Sequence, residues 1–231
     1  MINKIKFILI ISEDHYQSQF NYCKEFIDRI CIYRCGAGER LPSKTKGNYY
    51  TWMFYLRRGL FNVDFMECLA DMFIYKVERE IGHFNFQLAG LETASTPMLT
   101  GIPILARKYG ININAFSIRK EPKEYGLKNW TEGIRDPNYP VLLVDDLCNS
   151  ANSLLKAYDI ISHLGMEPLN YSFTIVNKTN REDENKIKFD KYFNHCGVNN
   201  MNFLYLYTLD DFGLNIPVGG DKYMLKSEAS K

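Results

Sequence analysis

Two adjacent carboxylates give the sequence its clearest chemistry. Asp145 and Asp146 follow an aliphatic run, residues 141–144, whose unbroken apolar character predicts a central strand buried on both faces. Ligands of parallel sheets bind beyond the carboxyl ends of the strands, so the pair is expected at such a site. Because neighbouring side chains of an extended chain point to opposite sides, one carboxylate can face a ligand while the other accepts bonds from nearby backbone.

A turn of small residues separates this pair from a helix predicted over residues 152–164. The free N–H groups and partial positive charge of a helix N-terminus suit a phosphate, and small side chains let its oxygens approach the backbone. The candidate phosphate ligands are Asn149, Ser150, Ala151, Asn152 and Ser153. An ordinary capped turn beside a solvated strand end is the alternative, and this segment alone does not decide between the two.

A cluster of cations follows another predicted strand, residues 113–119. Arg119, Lys120 and Lys123 open a long charged segment, residues 120–138, that is predicted to be a loop and could close on a polyanion. Glutamates alternate with these lysines, so the segment taken alone favours a solvated loop.

A second polar turn, "GLETASTP", follows a strand predicted over residues 84–90 and precedes a helix predicted over 96–109. Its geometry repeats that of the first turn. Two neighbouring strand ends would then each bind an anion, one at each end of a doubly phosphorylated ligand.

Several of these motifs resemble those of the type I phosphoribosyltransferases. "VLLVDDLCNSANS" is similar to the family's phosphoribosyl pyrophosphate (PRPP) signature, and "RKEPKEYG" to the mobile catalytic loop of the orotate phosphoribosyltransferase branch. "GLETASTPML" resembles the pyrophosphate loop of that branch, and "FLYLYTLDDF" its usual ending. The resemblance covers roughly residues 41–213. It implies an α/β fold with a mainly parallel central sheet, helices on both faces and a small N-terminal hood.

The resemblance also implies roles for individual residues. Asp145 and Asp146 would bind the ribose hydroxyls, and Asn149 to Ser153 the 5′-phosphate; Lys120 and Lys123 would act on the leaving pyrophosphate. The remaining PRPP-binding candidates are Leu91, Glu92, Thr93, Ala94, Ser95, Arg119 and Tyr125. The base-binding candidates are Lys178, Tyr49 and Tyr50; for the two tyrosines a place in the core is an equal alternative.

The sequence departs from the family pattern mainly on the base side. Asn177-Lys178 stands where orotate enzymes show Asp-Arg, and lysine lacks the two-pronged guanidinium. Tyr125 replaces a histidine and Asn149 a threonine. Ala94 and Ser95 stand where lysine or glycine, then glycine, are common.

The predicted activity is therefore Mg²⁺-dependent transfer of the phosphoribosyl group from PRPP to a nitrogenous base, most simply orotate or a related pyrimidine, with release of pyrophosphate. A homodimer is implied, because in this family the loop lysine often serves the partner's site. The alternatives are a non-catalytic PRPP- or nucleotide-binding regulatory module and a structural relic of the fold. Retention of both lysines and both aspartates favours the enzyme.

Bulk properties exclude several other classes. The 231 residues carry a formal net charge of +1, which argues against a nucleic-acid binder. The N-terminal run "KFILIIS" is too short for an export signal or a membrane span and is predicted to be a buried strand, so a cytoplasmic protein without membrane contact is expected. The six cysteines show no regular framework, and reduced thiols are favoured over a zinc site built from Cys31, Cys35, His195 and Cys196.

The elements that must position these residues alternate along the chain. Helical spacing predicts helices at 17–33 and 63–81 and a short one at 186–195, and extended segments are predicted at 49–56, 171–176 and 202–208. One domain is expected, with a hood on the base side over residues 1–60, a PRPP-binding core over 61–215 and a tail over 216–231.

Overall fold

The computed structural model describes residues 10–42, 49–122, 129–178 and 202–214. The helix predicted at 186–195, the tail and most of the predicted N-terminal strand lie outside these ranges. Lys123 and Tyr125 also lie outside them.

The N-terminal hood consists of one helix and short strands. Helix α1 (Glu13–Phe26) begins at Ser12, whose hydroxyl accepts a hydrogen bond from the His15 N–H at 3.2 Å, and it continues as a π-helical turn, Ile27–Cys31. The strands are β1 (Ile32–Arg34), β2 (Leu41–Pro42), β3 (Tyr49–Tyr50) and β4 (Trp52–Phe54). β1 pairs antiparallel with β4, and β2 with β3.

Helices and strands then alternate through the core. The short helix α2 (Arg57–Leu60) ends the hood. The core elements are α3 (Val63–Glu80), β5 (Gln87–Leu91), α4 (Thr96–Ala106), β6 (Ala115–Ile118), β7 (Thr131–Glu132), β8 (Val141–Cys148), α5 (Asn152–His163), β9 (Pro168–Asn177) and β10 (Asn202–Thr208). The sixth of these strands, β10, has the bounds predicted from the sequence.

A six-stranded sheet in the order β10-β9-β8-β5-β6-β7 forms the centre of the fold. All neighbouring strands are parallel except the edge pair β6–β7. The predicted α/β class with a mainly parallel sheet is confirmed, and β8 lies between β5 and β9 as its apolar sequence predicted.

Helices cover both faces of the sheet, as predicted. Leu142 and Val144 of β8 join the core cluster of α1, α3 and α4, whereas Val141 and Leu143 join the cluster beneath α5. This alternation follows from the two-residue period of a strand. On the first face, Phe73 of α3 meets Phe173 of β9 edge to face, with ring centroids 5.0 Å apart.

Two predicted boundaries were wrong near the candidate site. β8 runs on to Cys148, because its backbone stays paired with β9 from Asp145–Thr174 to Cys148–Asn177, so the acidic pair lies inside the strand. The segment 120–138 is not all loop: Thr131–Glu132 adds the edge strand β7 against β6.

The hood was also only partly predicted. The helix expected at 17–33 starts four residues earlier, at Glu13, and its last part becomes the π-turn and β1. The extended run expected at 49–56 is interrupted, because β3 and β4 pair with different partners. Within the described ranges, no helix has the length and apolar character needed to cross a bilayer.

Candidate active site

The site lies where the chain changes direction across the sheet. From β5 the chain passes through α4 to β6 on one side, whereas from β8 it passes through α5 to β9 on the other. α4 and α5 lie on opposite faces, so a crevice opens between the carboxyl ends of β5 and β8. Open α/β sheets bind ligands at such a switch point.

The side chains of the two adjacent aspartates have different surroundings. Asp146 lines a cavity of about 200 Å³, whereas Asp145 is only 7% exposed and its Oδ1 accepts the Asp146 backbone N–H at 2.9 Å. The predicted backbone bond to one carboxylate is thus present at Asp145, and the ligand-binding role of Asp146 stays a prediction. Burial, and then the charge of Asp146, raise the pKa of Asp145. Burial also raises the pKa of Asp146, and hydrogen bonds to the Leu147 N–H and to Asp145, then the charge of Arg57, oppose the rise.

Lys120 brings a cation from the neighbouring strand end into the same cavity. Its backbone N–H donates to Glu92 Oε1 at 3.4 Å, and its carbonyl accepts a hydrogen bond from the Lys156 ammonium. These contacts fix the backbone where β6 leaves the sheet. Arg119 does not line the cavity, and its guanidinium forms an ion pair with Glu132 of β7 at 3.0 Å.

The turn after β5 approaches the cavity closely. Thr93 and Ala94 line it, and the peptide bond between Glu92 and Thr93 is cis. Leu91 and Ser95 are buried instead: the Ser95 hydroxyl donates to the Leu91 carbonyl at 2.7 Å, so this hydroxyl does not face the cavity.

A glycine makes this tight turn possible. A Cβ on Gly90 would lie 2.3 Å from the Val144 carbonyl oxygen and 2.6 Å from Ser95 Cβ. The absent side chain therefore lets the turn pack against β8, beside the acidic pair.

The turn before α5 is at least partly exposed except at Ala151, which is buried. Ala151 has a left-handed conformation with φ of 56°, and no side chain caps the helix that starts after it. Asn149, Asn152 and Ser153 are exposed and Ser150 is partly exposed. An uncapped helix start can bind an anion through its N–H groups, and the phosphate-binding role of residues 149–153 stays a prediction.

The hood and the end of β9 meet at Lys178. Its ammonium lies 5.0 Å from the Trp52 ring centroid and 5.8 Å from that of Tyr50, and burial lowers its pKa to about 8. The structure thus unites two base-binding candidates, Lys178 and Tyr50. Tyr49, the third, is 40% exposed on the hood and takes no part in this contact.

Sequence reasoning missed part of the cavity wall. Phe54, Tyr55, Leu56 and Arg57 line it from the hood side. The sequence feature that could have indicated this wall is the pair of consecutive arginines, Arg57 and Arg58, between the aromatic run and the first core helix. Trp52 was also missed as a neighbour of Lys178.

Within the described ranges, Asp146 is the only carboxylate that lines the cavity and could bind a divalent cation. No group of three or more His, Cys, Asp or Glu side chains there could hold a metal ion, and His195 and Cys196 lie outside those ranges. Mg²⁺ is commonly held by one or two carboxylates together with phosphate oxygens of the substrate, so the Asp146 carboxylate fits such an ion.

Solved structures share this architecture. The chain superposes on an orotate phosphoribosyltransferase from Mycobacterium tuberculosis with a TM-score of 0.66 and 20% identity, covering 85% of this chain and 99% of that one. A phosphoribosyltransferase from Corynebacterium diphtheriae gives a TM-score of 0.65 at 20% identity over the same shares. The fold is that of the type I phosphoribosyltransferases.

Sequence relatives point to the orotate branch of these phosphoribosyltransferases. An orotate phosphoribosyltransferase of Methanocaldococcus jannaschii is 29% identical over 125 residues, which are 54% of this chain and 64% of that protein. One from Methanococcus maripaludis is 26% identical over 175 residues, 76% of this chain and 84% of that protein. No family model matches the chain. The resemblance to orotate phosphoribosyltransferases is confirmed, and the first of these matches spans just under two thirds of the relative's length.

Proposed function

We propose that this protein is a phosphoribosyltransferase of the orotate type. It would transfer the 5-phosphoribosyl group of PRPP to orotate or a related pyrimidine and release pyrophosphate. The observation that carries the proposal is a single cavity lined by Asp146, Lys120 and the turn residues Thr93 and Ala94, at the switch point of the sheet. A solved M. tuberculosis orotate phosphoribosyltransferase in complex with PRPP has the same fold, with a TM-score of 0.60.

The charges around the cavity suit the reaction. Displacement at the anomeric carbon builds positive charge on the sugar ring and negative charge on the departing pyrophosphate. The Asp146 carboxylate favours the positive ring, and the Lys120 ammonium favours the leaving group. Opposite charges fixed at the two ends of the breaking bond stabilise that separation, and no covalent nucleophile is needed.

Mg²⁺ is part of the proposal. When bound, it would neutralise charge on the pyrophosphate, and Asp146 is the described carboxylate in the cavity that would help to hold it. Lys123 and Tyr125 keep their predicted roles in PRPP binding. Those roles, like the phosphate-binding roles of residues 149–153, stay predictions.

The direct test is pyrophosphate release from PRPP and Mg²⁺ with a panel of purine and pyrimidine bases. We expect release with orotate or one related base, and a large loss in Lys120→Ala and Asp146→Asn. A wild-type protein that binds PRPP tightly but turns over no base would instead be the regulatory module. A protein that does not bind PRPP at all would refute both functions.

A homodimer is also proposed, and an apolar groove supports it. The groove, about 480 Å³, lies beside the Thr93 turn between the start of α3 and α4. Three large apolar side chains along the groove are mostly exposed: Phe61 at 77%, Val63 at 74% and Ile104 at 64%. An exposed apolar patch of this kind marks an interaction surface. We assign a second copy of the chain as its occupant.

Analytical ultracentrifugation tests the dimer. Ile104→Asp should shift the wild-type dimer toward monomer, because a carboxylate would be buried in an apolar contact. Ile134→Asp is the matched control, since Ile134 is 84% exposed and does not line the groove. A wild-type monomer at all concentrations would refute the assignment. The division into hood, core and tail and a location in the cytoplasm stay predictions.

A further inference from the structure

The turn after β5 brings no cation to the cavity. Ala94 lines the cavity at the position where orotate enzymes commonly carry lysine or glycine, and its neighbour Thr93 is neutral. A pyrophosphate group at this turn would therefore need positive charge from other elements. Among the described residues, the cations that line the cavity are Lys120 and Arg57.

Arg57 reaches the cavity from a separate part of the chain. It is the first residue of α2, the short helix that joins strand β4 of the hood to the core. Its guanidinium carbon lies 5.4 Å from the centroid of the Tyr55 ring, and Tyr55 lines the cavity as well. A guanidinium beside an aromatic face is held in place while its N–H groups stay available for hydrogen bonds.

The charge of Arg57 is one of several influences on the pKa of Asp146. Burial raises the pKa of the Asp146 carboxyl, and hydrogen bonds to the Leu147 N–H and Asp145, followed by the charge of Arg57, oppose that rise. Lys120 acts likewise on Asp145. Both cations line the cavity, Arg57 from the hood side and Lys120 from the end of β6.

Arg58, the next residue, can be compared directly with Arg57. Arg58 shares the short helix and lies at the same 5.4 Å from the Tyr55 ring, but its guanidinium donates to the Ile30 carbonyl at 3.4 Å and it does not line the cavity. Two adjacent arginines with the same ring contact thus differ in whether they face the site.

We propose that Arg57 binds the pyrophosphate group of PRPP, supplying from the hood the cation that the Thr93–Ala94 turn lacks. Guanidinium groups bind phosphate oxygens through two parallel N–H bonds, a geometry that also fixes orientation. This inference rests on the proposed function, because it assigns a residue within that same site.

Calorimetric titration of the full chain with PRPP, inorganic pyrophosphate and ribose 5-phosphate in the presence of Mg²⁺ tests the proposal. Arg57→Gln should weaken PRPP and pyrophosphate by about 10- to 100-fold, as expected for lost charge-assisted bonds. Affinity for ribose 5-phosphate should change less than threefold. Arg57→Lys should recover part of the loss, since it keeps the charge without the fork. Arg58→Gln should leave all three affinities within about threefold.

The outcomes distinguish failure of the Arg57 assignment from failure of the proposed function. If wild type binds PRPP and Arg57→Gln binds it within threefold, the inference is refuted and the proposed function stands. Equal losses for ribose 5-phosphate and pyrophosphate would also refute it, because the effect would then be structural. Should Arg57→Gln fail to fold, Arg57→Lys decides: pyrophosphate affinity equal to that of Arg58→Lys would overturn the inference. A wild-type protein that binds no PRPP refutes both.

Discussion

The ammonium of Lys178 lies 5.0 Å from the centre of the Trp52 ring, which joins the end of β9 to strand β4 of the hood. The tryptophan is buried, and the lysine is partly buried. The positively charged end of a sheet strand is therefore covered by an aromatic wall. The base-binding role assigned to Lys178 and Tyr50 stays a prediction.

The pH dependence of stability should report on Lys178. Its pKa falls to about 8 in the folded protein, below the unfolded value, because burial disfavours the charged amine. Between about pH 8 and pH 10 the unfolded chain binds more protons, so this residue's contribution to stability rises with pH. Urea titrations at pH 7.5 and pH 9.5 should show a smaller gain in Lys178→Met than in wild type. An unchanged gain would contradict the lowered pKa.

The affinity for an anionic base should fall with rising pH, whereas the stability contribution of Lys178 rises. If Lys178 binds the base as a cation, affinity falls as pH rises through about 8, where the amine loses its proton. Titration of orotate into the PRPP-bound protein measures this, and Lys178→Arg should abolish the fall, because a guanidinium stays charged. A fall that persists in Lys178→Arg would assign the titration to another group.

The two aspartates should differ in their effects when replaced. Asp146→Asn should weaken PRPP binding by about 10- to 100-fold, since Asp146 faces the cavity. Asp145→Asn should act mainly on stability. Burial raises the Asp145 pKa, so the folded state binds more protons than the unfolded one above about pH 4, and stability falls as pH rises.

Urea titrations at pH 5 and pH 8 test the Asp145 assignment. The loss of stability between these pH values should be smaller in Asp145→Asn than in wild type, because the asparagine cannot ionise. An equal loss in both proteins would show that Asp145 is not the titrating group.

Replacement of Gly90 should destabilise the fold directly. The added Cβ would lie 2.3 Å from a backbone carbonyl oxygen of β8, and backbone cannot yield as a side-chain end can. We expect Gly90→Ala to cost about 3 kcal/mol in urea unfolding. Gly36→Ala is the control: its Cβ would have only an ordinary contact, 3.8 Å from Glu39 Oε2, and should change stability by under about 1 kcal/mol. Similar costs at both positions would contradict the packing argument.

Ala151 should tolerate glycine but not valine. Its left-handed φ of 56° costs an alanine about 1 kcal/mol, which glycine would recover, but glycine loses a buried methyl group of similar worth. Ala151→Gly should therefore be nearly neutral, whereas the branched Cβ of valine should cost about 2 kcal/mol. Thermal unfolding of both variants measures this. A neutral Ala151→Val would mean that the turn readily adopts another conformation.

The local sequence was enough to predict most of the sheet and half of the site. The apolar run of β8, the acidic pair, the small polar turn and α5 follow one another without a break, so the elements and their side chains are set by neighbours in the chain. The end of β8 was misplaced, because charged residues are poor strand formers and only pairing with β9 keeps Asp145 to Cys148 extended.

Tertiary structure alone decided which distant residues complete the cavity. Arg57 and Asp146 are 89 positions apart, and Trp52 and Lys178 are 126 apart. No spacing rule links them. The sequence specified the strand end and its carboxylates, because periodicity and turn chemistry are local properties. The choice of Asp146 over Asp145 for the cavity, and of Arg57 over Arg58, depended on how the hood packs over the sheet, since only that packing determines which side chains face the same enclosed space.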